Sequence, residues 1–188
     1  REVTQDSLRA QIAVVPQDSF LFHDTIRANI TLGAPQGKLD VDEASRLAGL
    51  EPLLPRLEKG LDTDVGEAGG RLSGGERQRI CIARALYHGG SILLLDEAVS
   101  SLDATAEGEV TDALERAAEG RTTLIIAHRL SSVRRADRIG VLEAGRIVET
   151  GTFAELMARD GVFVDIFRDQ LVRDAPISVP PAPSTERP

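Results

Sequence analysis

The run Ile92-Leu93-Leu94-Leu95 constrains this chain more than any other stretch, being too short for a helix of its own and ending abruptly in two acids, Asp96 and Glu97. An apolar run of that length is the pattern of a parallel strand buried on both faces, and the exit of such a strand opens on a ligand crevice. Upstream, Ser73-Gly74-Gly75-Glu76 precedes a segment with helical periodicity through Ile80, Ala83 and Leu86. Ser73 at the cap and Glu76 three residues on predict a capping box, and the glycines let an anion approach the helix amides. Residues 72–103 therefore combine an anion-friendly helix end with a pair of carboxylates at a strand exit.

A length of 188 residues, 41% of them apolar and 28% charged, suits one domain with a real core. Lys and Arg number 22 against 30 Asp and Glu, a net charge of −8, and the basic residues are scattered, so a nucleic-acid partner is not expected. The single Cys81 cannot form an internal disulfide; a reducing compartment and a core role for its thiol are the expectation. No apolar run approaches the roughly 18 residues of a membrane span, so the chain is expected to be soluble. It begins with Arg1 rather than Met, and further sequence upstream is expected.

Along the chain, Leu8 to Val15 predicts a strand stopped by Pro16, which leaves Gln17 at a strand exit. Phe20, Leu21 and Phe22 form an apolar knot suited either to packing or to docking, and Thr25 precedes a short helix from Ile26 to Ile30. Asp40-Val41-Asp42-Glu43 resembles a capping box for a helix with Val41, Ala44, Leu47 and Ala48 on one face, and a second short helix is expected around Leu53 to Leu57. Residues 18–90 are thus a mainly helical insertion. Ala104 to Ala118 predicts a helix, and Thr122 to Ala127 a buried strand ending in His128. Ile139–Leu142 and Arg146–Glu149 predict a hairpin through Glu143-Ala144-Gly145, and residues 153–172 an amphipathic helix broken at Gly161. Five prolines within residues 174–188 predict a disordered or extended tail.

In order, Gln17, Leu72-Ser73-Gly74-Gly75-Glu76, Leu93-Leu94-Leu95-Asp96-Glu97, Ser100-Ser101-Leu102-Asp103 and His128 resemble the Q-loop, signature, Walker B strand with its glutamate, D-loop and H-loop of an ABC transporter ATPase domain. Thr63-Asp64-Val65-Gly66-Glu67 and Pro16–Phe22 are similar to the exporter branch of that family. The resemblance covers residues 1 to about 172. It implies an α/β fold: a P-loop NTPase-like (RecA-like) core with a mostly parallel sheet, plus a helical subdomain at about 18–90, within a partial ATPase domain 1–173. It also implies ATP and Mg²⁺ as ligands, and hydrolysis at a head-to-tail dimer interface driving export. The implied partners are a second nucleotide-binding domain, identical or not, and the transmembrane domain of an exporter at the cytoplasmic face of a membrane.

Physical reasons stand beside the resemblance. Phosphate transfer needs a cation, and Asp96 is suited to hold Mg²⁺. As neighbours on an extended strand Asp96 and Glu97 would point oppositely, freeing Glu97 to orient or deprotonate the attacking water; alone, such a pair is an ordinary solvated strand end. Ser73, Gly74 and Gly75 suit a γ-phosphate that, by resemblance, belongs to the opposite subunit's nucleotide; alone they are a capped helix. By resemblance His128 contacts the γ-phosphate and helps place the attacking water, and Gln17 serves the metal, the attacking water and communication with the transmembrane domain; alone, each is equally well a structural group at a strand end. Asp103 is an N-cap for the helix at Ala104, a group reaching across the dimer, or both. Glu67 is a surface acid unless the exporter motif uses it, and His23 and His88 have no motif around them.

The loop Gly-x-x-x-x-Gly-Lys-[Ser/Thr] that wraps phosphates is absent. Gly33-Ala34-Pro35-Gln36-Gly37-Lys38-Leu39 is a decoy, with three residues between its glycines, Leu in place of the hydroxyl residue and Pro35 where donors are needed. In the family the loop lies upstream of the Q-loop strand, so truncation before Arg1 is expected, leaving a sheet without its first strands and with apolar surface uncovered. Two other readings stand beside the exporter: a non-transport ABC-type ATPase of the DNA-repair or chromosome type, and a catalytically inert relic. The first carries long coiled coils between Q-loop and signature, whereas 55 residues without sustained heptads separate Gln17 from Ser73.

Overall fold

Three apolar runs pair side by side, all parallel, in the order β1 (Ile12–Val15), β2 (Ile92–Asp96), β3 (Thr122–Ile126). The computed structural model describes residues 3–34, 36–97 and 104–174, and the chain divides into two compact units, residues 1–128 and 129–188. Val15, Leu95 and Ile125 stand abreast in the register, so the three strands finish on one edge of the sheet. That shared edge collects Gln17, Asp96, Glu97 and His128.

The first unit is built around α4 (Gly74–His88), whose Ala, Leu, Arg, Gln and Glu content favours helix and whose end is fixed by the Ser73–Glu76 capping box. It is buried nearly all round because α2 (Ile26–Thr31), α3 (Val41–Leu47), α5 (Ala104–Ala118) and β1 all touch it. Ile80 and Ile82 are fully buried, as is Leu93 on β2; each such side chain contributes about 1.5–3 kcal/mol relative to exposure. The chain then turns into β2 through Gly90, at φ +122°, where a Cβ would meet the Gln11 carbonyl oxygen at 2.7 Å. No other residue takes that backbone without strain.

Four expectations are corrected. Leu8 and Arg9 belong to a short helix, α1 (Gln5–Arg9), because Thr4 caps it by accepting from the Ser7 amide at 3.1 Å; the strand starts only at Ile12. Asp40 precedes α3 without any cap bond, since the Glu43 carboxylate that would complete the box is taken by Arg46 at 2.6 and 2.9 Å. The helix expected at Leu53 to Leu57 is a single 3₁₀ turn, Leu54–Arg56, with Pro55 in it. Finally, β3 is not a buried strand. Among the described residues only β2 pairs with it, and Leu124 and Ile126 are 60% and 45% exposed, as is Val14 of β1 at 45%. Uncovered apolar sheet surface is what a chain without the P-loop elements was expected to show.

In the second unit, β4 (Ile139–Glu143) and β5 (Arg146–Gly151) form an antiparallel hairpin joined by Ala144-Gly145, both at positive φ, a two-residue connection of the type that matches strand twist. A short helix α6 (Leu130–Val133), α7 (Phe153–Arg159) and α8 (Val162–Asp174) complete it, the last two separated at Asp160-Gly161. Leu130, Ile139, Val141, Leu156, Phe163 and Phe167 form its own core. The Glu149 carboxylate caps α8, accepting from the Val162 amide at 2.8 Å and the Phe163 amide at 3.0 Å. Glu149→Ala removes both acceptors, an expected loss of about 1 kcal/mol. Amide exchange at Val162 and Phe163 should then rise about fivefold, and unchanged exchange would count against the cap. Among the described residues no helix is long and apolar enough to cross a membrane. The tail beyond residue 174 lies outside the described residues.

Candidate functional site

Glu97 occupies the centre of the sheet's C-terminal edge, at the exit of the middle strand, and its two carboxylate oxygens face the two flanking strands. Gln17, two residues past the end of β1, brings its Nε2 to 3.3 Å from Oε2. His128, two residues past the end of β3, brings its Nε2 to 2.9 Å from Oε1. An ionised carboxylate only accepts, so both neighbours are positioned as donors toward it. Three residues separated by as much as 111 positions thus meet because each follows a parallel strand of matched register.

The expected cause of the Asp96–Glu97 divergence is corrected here. Strand β2 stops at Asp96, and Glu97 has φ +43°, a left-handed conformation that costs a non-glycine residue on the order of 1 kcal/mol. Its amide still continues the ladder, donating to the Ile126 carbonyl at 3.0 Å. It is this local turn, rather than strand alternation, that aims Glu97 between Gln17 and His128. Asp96 keeps the extended backbone, paired with Ile126, and is half-buried.

Whether these residues suit a divalent cation is decided by the oxygen atoms they leave available. Gln17 donates its N–H to Glu97, and its carbonyl oxygen meets no acceptor-seeking partner among the described residues. A carboxylate at Asp96 and an amide oxygen at Gln17 are hard donors of the kind Mg²⁺ takes, with water and phosphate oxygens filling the rest of its shell. The residues present fit such an ion.

The second feature is the N-terminus of α4. Ser73 accepts from the Glu76 amide at 3.3 Å, and Glu76 in return accepts from the Ser73 amide at 2.8 Å. The Ser73 oxygen thus accepts from the Glu76 amide, while its hydroxyl, like its amide, is directed to the Glu76 carboxylate. Gly74 is half-buried and Gly75 buried. Burial pushes the Glu76 carboxyl up, but the Ser73 amide and hydroxyl, together with the Arg56 guanidinium at 3.2 Å, hold it below the ordinary carboxylate range. A charged Glu76 at the first turn favours the helix dipole.

Between these features runs the segment Pro16–Thr25. The backbone of Phe22 is gripped by Asn29, whose Oδ1 accepts from its amide at 2.8 Å and whose Nδ2 donates to its carbonyl at 3.0 Å. Arg84 on α4 donates to the Phe20 carbonyl at 3.3 Å. Leu21 is buried, while Phe20 and Phe22 stack edge to face at 4.9 Å and stay 57% and 53% exposed. The Phe20-Leu21-Phe22 knot therefore divides, Leu21 packing and the two rings remaining available. Asp64 accepts from the Gly66 amide at 2.7 Å and faces Arg71 at 3.4 Å and His23 at 3.5 Å; Glu67 is exposed.

The residues missed by sequence reasoning are Asn29 and Gln78, both buried. The available signal was an amide side chain standing on the apolar stripe of a helix, which demands polar partners. Asp103, with Ser100 to Leu102, lies outside the described residues. The decoy Gly33–Leu39 is no phosphate cradle. Lys38 donates its amide to the Tyr87 carbonyl at 2.7 Å, at the C-terminal, negative end of α4, and a Cβ on Gly37 would meet that same oxygen at 2.5 Å.

Residues 1–100 match the family described as ABC transporter. The ATP-dependent lipid A-core flippase of Syntrophus aciditrophicus (strain SB) is 52% identical over 176 residues, covering 93% of this chain and 29% of the flippase. That of Burkholderia thailandensis is 49% identical over 174 residues, with the same coverage. Among solved structures, a bacterial Atm1-family ABC exporter with ATP bound superposes with a TM-score of 0.80 at 45% identity, over 89% of this chain and 30% of the exporter. The chain thus spans under a third of the length of these relatives. The parallel α/β core agrees with them, and the chain belongs to the ABC transporter family.

Proposed function

We propose that residues 1–173 are part of the ATPase domain of an ABC exporter, with about 18–90 as its helical subdomain, and that Mg-dependent ATP hydrolysis there drives export across a membrane. The observation that carries this reading is the Glu97 carboxylate set between Gln17 and His128 at the shared edge of three parallel strands. Asp96 and the Gln17 amide oxygen would hold Mg²⁺, which when bound neutralises phosphate charge. Glu97 accepts the proton of the attacking water or aligns it, as the water oxygen bonds to the γ-phosphorus and the bond to ADP breaks. His128 steadies Glu97 and donates toward the γ-phosphate.

Ser73, Gly74 and Gly75 donate to the γ-phosphate held by a second nucleotide-binding domain, identical or not, so that each site is completed head to tail; Asp103 adds a group at the same interface. The P-loop comes from sequence outside this chain. The exposed Phe20 and Phe22, three and five residues from Gln17, supply a surface for the transmembrane domain at the cytoplasmic side. The high identity to flippases over 93% of the chain favours this reading over a DNA-repair type, and the assembled Gln17–Glu97–His128 set favours it over an inert relic. The test is phosphate release by the intact, detergent-purified protein. Release that needs Mg²⁺ and stops with a chelator is expected, and a protein that hydrolyses no ATP at saturating Mg-ATP refutes the reading.

A further inference from the structure

One helical face of α4 lies along the segment that carries Gln17. Gln78, Cys81 and Arg84, spaced by three residues, all point at it: Arg84 donates to the Phe20 carbonyl, the Cys81 sulfur lies 4.0 Å from that same oxygen, and Gln78 reaches further back. Gln78 is 2% exposed and uses both ends of its amide. Its Nε2 donates to the Pro16 carbonyl at 3.3 Å, and its Oε1 accepts from the Ser19 hydroxyl. Pro16 has no N–H, so its carbonyl is the only backbone hydrogen-bonding group by which that residue can be held. The two ties therefore bracket Gln17, one on the residue before it and one two residues after it.

We propose that Gln78 is a positioning residue that sets Gln17 against Glu97, and so couples the helix whose N-terminus is Ser73-Gly74-Gly75 to the strand-edge site of the same chain; the inference rests on the ATPase reading above. Gln78 stands in the second turn of the helix capped by Ser73. Displacement of that N-terminus by an anion docked on it moves Gln78 with it, because an α-helix transmits motion as a rigid body over so short a span. Gln78 then carries Pro16 and Ser19, and with them the Gln17 amide, toward or away from the Glu97 carboxylate. A buried amide with two polar partners on one loop has no packing role that an apolar residue of like volume would not fill better.

The experiment uses the intact protein with Gln78→Met, which conserves volume and helix preference while removing both bonds, and Ser19→Ala, which removes one bond without touching the core. Gln78→Met should lower kcat about tenfold to a hundredfold with KM for ATP unchanged within about twofold, and Ser19→Ala should lower kcat about fivefold. In a Gln17→Ala background both substitutions should cost less than about twofold more, because the residue through which they act is gone. Without nucleotide, amide exchange across residues 17–20 should rise about tenfold in Gln78→Met. Wild-type kcat in Gln78→Met, losses that multiply fully with that of Gln17→Ala, or unchanged exchange overturns the inference while leaving the ATPase reading standing. A wild-type protein without ATPase activity overturns that reading and this inference with it.

Discussion

Glu97→Gln in the intact protein should lower steady-state ATP hydrolysis by about 10²–10⁴-fold while Mg-ATP affinity stays within about threefold. The substitution keeps the shape and removes the proton acceptor. A glutamine can still accept from His128 or Gln17 through one oxygen, but its amide nitrogen brings N–H groups toward whichever donor faces it, so one of the contacts at 2.9 and 3.3 Å is lost. Asp96 and Ser73 are untouched, so nucleotide binding persists. The checks are phosphate release under saturating nucleotide and binding of a fluorescent ATP analogue to the same preparation. A variant that keeps more than about a tenth of wild-type turnover would remove Glu97 from the role of base.

Residues 1–188 expressed by themselves should bind Mg-ATP with a Kd above about 1 mM and release no phosphate. The reason is the donor inventory. A phosphate cradle needs a glycine-rich run of free amides, a Lys and a hydroxyl at a helix N-terminus. The only stretch of related composition, Gly33–Leu39, spends its Lys38 amide on the Tyr87 carbonyl at the wrong end of α4. On the proposed reading the three remaining features, Glu97 with its neighbours, Asp96, and the Ser73 helix end, would each meet a nucleotide at its terminal phosphate or metal and leave the base and the α- and β-phosphates unheld. Titration with a fluorescent ATP analogue reads the affinity, and a micromolar Kd would show that some other part of this chain holds nucleotide. The exposed Val14, Leu124 and Ile126 of the sheet add a second readout, strong binding of an apolar dye by the same preparation.

Much of this molecule is legible in its sequence because local chemistry suffices. Ser73 and Glu76 form their capping box from neighbours three residues apart. The strand ending at Asp96 and the helix starting at Gly74 follow from apolar run length and periodicity, and the hairpin of β4 and β5 from two runs around Ala144-Gly145. Where expectation failed, a non-local partner or a competing bond had decided. Arg46 took the carboxylate that would have completed a box at Asp40, and Thr4 turned Leu8 and Arg9 into helix. Thr122 to Ile126 has the composition of a buried strand, yet burial depends on a neighbour, and no local pattern states whether one is present.

What the sequence determined by itself is the inventory: a cap, an apolar strand closed by two acids, and Gln17, Glu97 and His128 each placed just after an apolar run. What only the tertiary structure decided is their meeting. Parallel register aligns three strand ends that are distant along the chain, a left-handed turn at Glu97 directs its carboxylate between the other two, and Gln78 ties the Gln17 loop to the Ser73 helix. Periodicity assigns each element its own faces, but the positions of atoms on different elements follow from packing and from the pairing of buried polar groups, which are properties of the assembled chain.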